Sequence, residues 1–452
     1  MQKPLIAVLL ASAFFTLDAQ AADLIQVYQQ ALANDATFAS ARASSIAGQE
    51  LVPQGRAGLL PTIGITGAYT HANNSQASWN AGSVIDPNNP SQLIPSNSAS
   101  ANVNQYTISL AQPLFRWDRW ETYQQSKLQQ SITEAQFAQA QQDLIMRVAQ
   151  AYFDVLAAQD TLESTRAQKA ATTEQLASAK RNFEVGTQTI TDTHEAQAAY
   201  DLVVSQEIAA VNDLENKKTA LQAIIGTPPA ALATLRQGVT LAAPQPANVD
   251  QWVSAAENQN YAVAVAELSL ESAKRDISKN RAGHYPTLDL VASASHSRTD
   301  GQAYMSGTNS NKGIGVQYSI PLFQGFAVTS RVRQSIALED KARNDLEANR
   351  RSAALNARQS FLGVNSGLAQ VKALEAAEVS SNSALESNKL GYQVGVRINI
   401  DVLNAQRQLY QTRTDLAKAR YNTILAGLRL KQAAGSLREA DLQPINALLL
   451  QP

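Results

Sequence analysis

Polar residues that could make charge-assisted hydrogen bonds surround a glycine in the segment YQVGVRINIDVLN, at residues 392–404. Tyr392, Arg397 and Asp401 place a phenol, a guanidinium and a carboxylate around the Val-Gly pair. Bonds between such groups are strong when dry and modest when wet, about 1 to 3 kcal/mol each. A few bonds of that strength would bias one arrangement of the chain, and a binding partner could still break them.

Patterns that indicate catalysis are missing from the sequence. The four histidines, at positions 71, 194, 284 and 296, do not have the spacing of metal ligands. The sequence contains no nucleophile elbow, phosphate loop or dinucleotide fingerprint. We therefore predict no catalytic residue, no metal and no cofactor.

The Val-Gly segment has a second copy, because NFEVGTQTITDTHE aligns Gly186 with Gly395 and Asp192 with Asp401. RAGLLPT at 56–62 likewise returns as RAGHYPT, and QPLF returns as IPLF. These pairs recur in one order, roughly 210 to 225 residues apart, which indicates a tandem duplication. The predicted organisation is a first repeat at 22–226, a linker at 227–247, a second repeat at 248–435 and a tail at 436–452.

Composition and the N-terminus indicate an exported protein. The segment MQKPLIAVLLASAFFTLDAQA, at 1–21, has a basic start, an apolar core of about a dozen residues and an Ala-x-Ala exit, as a secretory signal peptide has. The chain has no cysteine for disulfides or lipid attachment, and its net charge is −1 without a basic run. We predict no nucleic-acid partner.

Each repeat contains two segments in which apolar and polar residues alternate, as they do in a wall between lipid and water. We predict strands at about 61–71, 104–114, 286–296 and 313–322. The polar stretch 72–102 is then an external loop. A hairpin on a soluble helical protein would give the same pattern. Four membrane strands would leave open edges in lipid, so the chain would have to oligomerise, and the pattern leaves two, three or four copies open.

Long helical patterns follow each pair of strands. We predict long helices at 119–185 and 327–392 and return helices at 192–226 and 401–435. The long helices would each extend close to 100 Å. Apolar residues in the first long helix step by four and three from Leu144 to Leu162, the spacing of coiled-coil packing. The strands would lie at one end of this body and the two Val-Gly turns at the other.

The duplicated order of elements, the opening DLIQVYQQALAND, the RAGxxPT pair and the two VGxxxxxD turns together resemble the TolC family of outer-membrane efflux ducts. The resemblance covers essentially the whole mature chain. It implies a mainly α chain with a membrane β-barrel part: a homotrimer with a twelve-stranded β-barrel in the Gram-negative outer membrane, continuous with a long periplasmic α-helical barrel. It also implies a periplasmic adaptor and an inner-membrane ABC or proton-driven transporter as partners.

The resemblance implies that the far end of the tunnel is gated. Family members hold it shut by bonds between helix pairs of one protomer and its neighbour. The residues at those motif positions here are Thr191 and Asp192 from the first turn and Tyr392 and Arg397 from the second. The same carboxylates could instead cap helices, because Asp192 and Glu195 have capping-box spacing and Asp401 also precedes a helix.

The resemblance also assigns a constriction and a docking site. Asp401 falls at a ring of carboxylates, and Asn404 replaces a second aspartate, so we expect weaker block by divalent cations than two carboxylate rings would give. The predicted adaptor-docking residues are those of the two turns: Val185, Gly186, Val394 and Gly395.

These observations predict an outer-membrane channel-tunnel that passes proteins, small toxic compounds or both. The missing lipidation site and the sequence of the last turn favour the secretion branch of the family. A trimeric coiled-coil adhesin is the alternative, although it would need neither duplicated strand pairs nor polar clusters at the turns.

Overall fold

The computed structural model describes residues 21–75, 98–236, 238–301 and 306–450. The predicted signal peptide and the middle of the predicted loop 72–102 lie outside these ranges. Within them the chain is mainly helical and has one four-stranded sheet, as predicted.

The helices form two corresponding series. In the first half of the chain they are α1 (Leu24–Asn34), α2 (Ala36–Gln49), α3 (Leu51–Ala57), α4 (Trp117–Glu184) and α5 (Ile190–Ile225). In the second half they are α6 (Val249–Gln259), α7 (Tyr261–Arg281), α8 (Ala327–Gln393), α9 (Asn399–Ala433) and α10 (Leu442–Asn446).

The two long helices match the predicted positions closely, and the return helices begin earlier than predicted. Helices α4 and α8 have 68 and 67 residues. The helical segment that precedes each strand pair is interrupted, at Asp35 in the first repeat and at Asn260 in the second. The side chain of Asp35 accepts a bond from the Phe38 amide at 2.6 Å, and that of Asn260 accepts one from the Ala262 amide at 2.9 Å. Each polar residue therefore starts a new helix at an equivalent position of the duplication.

The sheet is an antiparallel meander in the order β1-β2-β3-β4, in which the β2–β3 pairing joins the two repeats. Its strands are β1 (Thr62–Ser75), β2 (Ser98–Phe115), β3 (Thr287–Gly301) and β4 (Gly307–Ser319).

All four predicted strands stop short on the side of their hairpin loops, and the fourth, predicted at 313–322, is also wrong at its other end. Strand β4 begins at Gly307 and ends at Ser319. Pro321, just beyond the strand, has no amide hydrogen for a sheet. Gly325 and Phe326 then turn the chain into α8 with φ angles of 58° and 62°.

The chain divides into two compact units, and each draws segments from both repeats. One comprises the residues up to Ser45, Glu134–Ala266 and the residues from Leu346 onward. Its core forms around α4, where the predicted stripe from Leu144 to Leu162 is buried. The periodic residues of that stripe are Leu144, Val148, Ala151, Val155, Ala158 and Leu162.

The other unit comprises Ile46–Thr133 and Glu267–Asp345 and contains the sheet. One face of the sheet is apolar, and the other carries small polar residues. Where the strands join the helices, Arg116 forms a bidentate ion pair with Asp289, with Nη2 at 2.6 Å from Oδ2. This pair ties the end of β2 to β3.

Among the described residues, none of the helices has both the length and the apolar character needed to cross a membrane.

Candidate functional site

The α4–α5 and α8–α9 turns have the same backbone geometry. Gly186 and Gly395 have φ angles of 77° and 81°. Beyond the first glycine, the Thr187 amide donates to the Asn182 carbonyl at 2.9 Å, and beyond the second, the Val396 amide donates to the Gly391 carbonyl at 2.9 Å. These bonds are typical of a Schellman ending. A Cβ at either glycine would meet nothing within 4 Å, so the left-handed backbone, and not a lack of space, requires glycine here.

The residues predicted for adaptor docking lie in these turns and are accessible in the single chain. Val185 is 73% exposed and Val394 is 66% exposed. Val396 and Ile398, which the sequence prediction omitted, are 76% and 61% exposed. Four large aliphatic side chains therefore project from the two turns together.

The prediction that Asp192 caps a helix together with Glu195 is wrong. Thr189 is the N-cap of α5, and Asp192 is its third residue. The Asp192 carboxylate accepts bonds from the Thr189 amide at 3.1 Å and the Thr189 hydroxyl at 2.8 Å. The neighbouring Thr191 is exposed. The box that forms is thus Thr-x-x-Asp, one turn earlier than predicted.

Asp401 is likewise the third residue of its helix and not the N-cap. The N-cap is Ile398, which makes no side-chain capping bond. Asp401 instead pairs with Arg397, with Oδ2 at 3.7 Å from Nη1. The Arg397 side chain is 59% exposed and that of Asp401 is 34% exposed, so this pair is weak.

Tyr392 is half-buried beside Leu385, Val402 and Leu409, and its phenol accepts a hydrogen bond from Nε2 of Gln188. This bond joins the first turn to the end of α8. Gln188 also has a buried Oε1 atom that lacks a partner among the described residues. Gln188 was not predicted, because the sequence marks it only by its position in the turn segment GTQT.

A second connection runs through Asn399, which is fully buried at the start of α9. Its Oδ1 accepts a bond from Gln175 at 2.6 Å, and its Nδ2 donates to the Asp192 carbonyl at 3.1 Å. One amide therefore links α4, α5 and α9. The only sequence signal was a polar residue at the position where the first repeat has Ile190.

The predicted gate residues lie at neighbouring turns but do not form one cluster within the chain. The Asp192 carboxylate is engaged in the capping box, while Tyr392 and Arg397 bond to Gln188 and Asp401. Bonds to the Asp192 carboxylate from a neighbouring protomer remain a prediction.

The constriction residues share one side of α9. Asn404 is exposed, and its Oδ1 accepts a bond from Nη2 of Arg407 at 3.0 Å. Asp401 thus has an arginine on either side along the chain, Arg397 before it and Arg407 after it. Within the described ranges there is no group of three or more His, Asp or Glu residues that could hold a metal ion. The polar residues of the two turns can form hydrogen bonds and ion pairs, and Asp401 with its two arginines sets the electrostatic potential near the start of α9.

The comparisons with known proteins agree with this architecture. The family model described as outer membrane efflux protein matches residues 27–227 and 252–436. The chain is 35% identical to the outer membrane protein TolC of Vibrio cholerae, over 94% of each chain. It is 32% identical to the proteases secretion protein PrtF of Dickeya chrysanthemi, over 95% of this chain and 91% of the relative.

Solved structures show the same fold. The CmeC outer membrane channel of Campylobacter jejuni superposes with a TM-score of 0.77 at 17% identity, covering 94% of this chain and 89% of that one. The chain therefore belongs to the outer membrane efflux protein family, the TolC family of outer-membrane export channels, and its helical part lies in the periplasm.

Proposed function

We propose that three copies of this chain form one export duct that is gated at the α4–α5 and α8–α9 turns. The duct would connect to an inner-membrane transporter through a periplasmic adaptor. The gate proposal depends above all on one observation: the two turns are joined by two polar contacts, from Gln188 to the Tyr392 phenol and from Asn399 to the Asp192 carbonyl.

Assembly into a closed sheet follows from the edges of the meander. Within the described part of the chain, strands β1 and β4 each pair with only one neighbour. An unpaired strand edge in lipid leaves backbone amides and carbonyls without partners, at several kcal/mol for each group. Pairing β4 of one copy with β1 of the next would satisfy these groups, and three copies would give twelve strands.

The turns supply a surface for the adaptor. Val185 and Val394 are exposed beside glycines whose backbone is also accessible. Exposed aliphatic side chains on tight helical turns can pack against the apolar side of another helical hairpin. We propose that such a hairpin from the adaptor contacts these residues, together with Val396 and Ile398.

The contacts at the turns have the strength that a gate requires. The Tyr392–Gln188 bond is neutral, and the Arg397–Asp401 pair is long and solvent-exposed. Each contributes about 1 kcal/mol or less within the chain. Added bonds from Tyr392 and Arg397 to Thr191 or Asp192 of a neighbouring protomer would hold the three copies together in the closed state.

The charge of the constriction supports a weak block by divalent cations. Asp401 supplies one carboxylate for each protomer, whereas Asn404 is neutral and is bonded to the cationic Arg407. Arg397 reduces the negative potential further. We propose that divalent cations block this channel only weakly.

The relatives favour a polypeptide cargo. One of them, 32% identical, is named a proteases secretion protein. We propose secreted proteins as one cargo class and small toxic compounds as a second. The comparisons give the adhesin alternative no support.

Single-channel recordings in planar bilayers test the gate. The wild type is compared with the Tyr392→Phe, Arg397→Ser double variant. A matched control is the double variant Tyr410→Phe, Arg413→Ser, which has the same chemical changes on α9 and removes the Arg413–Glu378 bond, at 3.0 Å, away from the turns.

We expect small wild-type currents that rise several-fold in the first variant and stay small in the control. Large, equal currents in all three proteins would contradict the gate and leave the channel intact. A complete lack of current would contradict the channel itself.

A further inference from the structure

We infer that Lys312 and Arg298 form a binding site for the phosphate groups of the phosphorylated glycolipid in the outer leaflet of the outer membrane. The inference rests on the outer-membrane position of the sheet. It concerns the lipid-facing surface, which the gate and the constriction do not involve.

Strand register defines the two faces of the sheet, because paired residues share a face. On the apolar face, Ile65 pairs with Ile108, and in the next row Leu110 pairs with Ala292, which in turn pairs with Ile314. On the opposite face, one row consists of Thr66, Thr107, Ser295 and Asn311. The apolar face is therefore the one that contacts lipid.

Aromatic rows mark the limits of the lipid-facing band. The row nearest the helices contains Phe115, Leu288 and Tyr318, and a farther row contains Tyr106, His296 and Ser310. Along β4 these rows are eight residues apart, which is about 27 Å of strand and about 21 Å along the membrane normal at the usual tilt. A barrel's apolar band is about 25 Å tall, so the row of His296 lies within about 4 Å of the outer boundary.

Charged residues occur on this lipid-facing surface around that boundary. Lys312 lies one row inside it, in line with Ala294, and Arg298 lies one row outside it, opposite Thr308. At the same heights the water-facing side carries uncharged residues such as Gln105 and Asn311. The chemistry of the barrel interior therefore does not explain why Lys312 and Arg298 occur on the lipid-facing side.

Both side chains have hydrogen-bond donors that no described residue engages. Lys312 is exposed and has no partner among the described residues. Arg298 uses only Nε for its two contacts with Asp300, both at 3.1 Å, so its terminal nitrogens have no acceptor there. His296 lies between the two rows, where its Nδ1 contacts Ser310 at 2.9 Å.

The energetics of lipid exposure favour an anionic partner. A lysine or arginine side chain is costly at the middle of the membrane and costs little near its surface. The Lys312 side chain is long enough to extend one row, about 5 Å, to the headgroups. Phosphate oxygens accept charge-assisted bonds from an ammonium and a guanidinium, which neutral lipid headgroups do not offer.

The test measures binding of labelled, diphosphorylated lipid A to the purified full-length protein in detergent. We expect the Lys312→Gln, Arg298→Gln double variant to bind about tenfold or more weakly than the wild type, the loss expected for charge-assisted contacts. Asp300→Asn should keep or strengthen binding. Lys341→Gln, the same change at an exposed site on α8, should leave binding unaltered.

Three results would overturn the inference: equal binding by the double variant and the wild type, equal binding of a phosphate-free glycolipid by the wild type, or displacement of the label by millimolar inorganic phosphate. Bilayer recordings of the same preparations keep the two proposals separate. Channels of normal conductance without a glycolipid preference refute only the lipid site, whereas a wild type that forms no channel refutes the export duct.

Discussion

Removing the phenol hydroxyl of Tyr392 should open the channel through the loss of one hydrogen bond to Gln188 in each protomer. Among the described residues, this is the one hydrogen bond of the Gln188 side chain, and its Oε1 atom is buried without a partner. A neutral hydrogen bond contributes about 1 kcal/mol net, so three protomers contribute about 3 kcal/mol to the closed state if opening breaks all three. Since about 1.4 kcal/mol corresponds to a factor of ten, Tyr392→Phe should lower the closed-to-open ratio on the order of 100-fold.

A double-mutant cycle on open probability assigns this effect to the bond. We expect Tyr392→Phe and Gln188→Ala to raise the open probability to a similar extent, and the double variant to raise it no further. Gln411→Ala is the control, because Gln411 is exposed on α9 and, among the described residues, its side chain bonds to Asp415 alone, at 3.0 Å. The reasoning would be refuted if the effects of the two single variants on open probability were additive in the double variant, or if Gln188→Ala left the open probability unchanged.

Three further variants test the stability of the helical unit. Asn399→Leu should lower the free energy of unfolding by about 1 to 3 kcal/mol, since it leaves two half-buried partners, Gln175 and the Asp192 carbonyl, without this bond; an unchanged thermal midpoint would count against this. Gly395→Ala should cost about 1 kcal/mol, because alanine disfavours a φ of 81°, whereas Gly427→Ala, in open space within α9, should stabilise; equal effects would contradict the backbone argument. Burial raises the pKa of Asp160, which accepts a bond from Tyr421 at 2.6 Å. The folded chain therefore keeps the Asp160 carboxyl protonated to a higher pH than the unfolded chain does, so the free energy of unfolding falls as the pH rises above the ordinary pKa of 3.8. Asp160→Asn should therefore gain thermal stability relative to the wild type as the pH rises above about 4, and a pH-independent difference would exclude this cause.

Periodic features of the sequence predicted the architecture well, because they are repeated many times along each element. The stripe from Leu144 to Leu162 was identified by its spacing and is buried. Alternation identified all four strands, although it missed how far they extend toward the hairpin loops and where β4 ends before α8. A proline and two residues with positive φ decide that end, and alternation does not register them.

The site was predicted less completely, because its contacts join residues that are distant in sequence. Sequence spacing placed Asp192 in a capping box with Glu195, although the same spacing also allows a capping box between Thr189 and Asp192. The one that formed uses Thr189, which follows the Schellman turn directly. Gln188 and Asn399 gain their roles only when α4, α5, α8 and α9 come together, so local patterns did not indicate them.

The duplication has produced two turns with the same backbone and different side-chain bonding. At the first turn Thr189 and Asp192 complete a capping box, which stabilises the start of α5 by about 1 kcal/mol. At the second turn Ile398 provides no side-chain cap, and the equivalent aspartate, Asp401, pairs loosely with Arg397. The start of α9 is consequently held less by its own residues and more by contacts from other helices, chiefly through Asn399 and Tyr392. A partner that breaks those contacts meets less local resistance at the second turn than at the first, so we expect α8 and α9 to move when the gate opens while α4 and α5 remain in place.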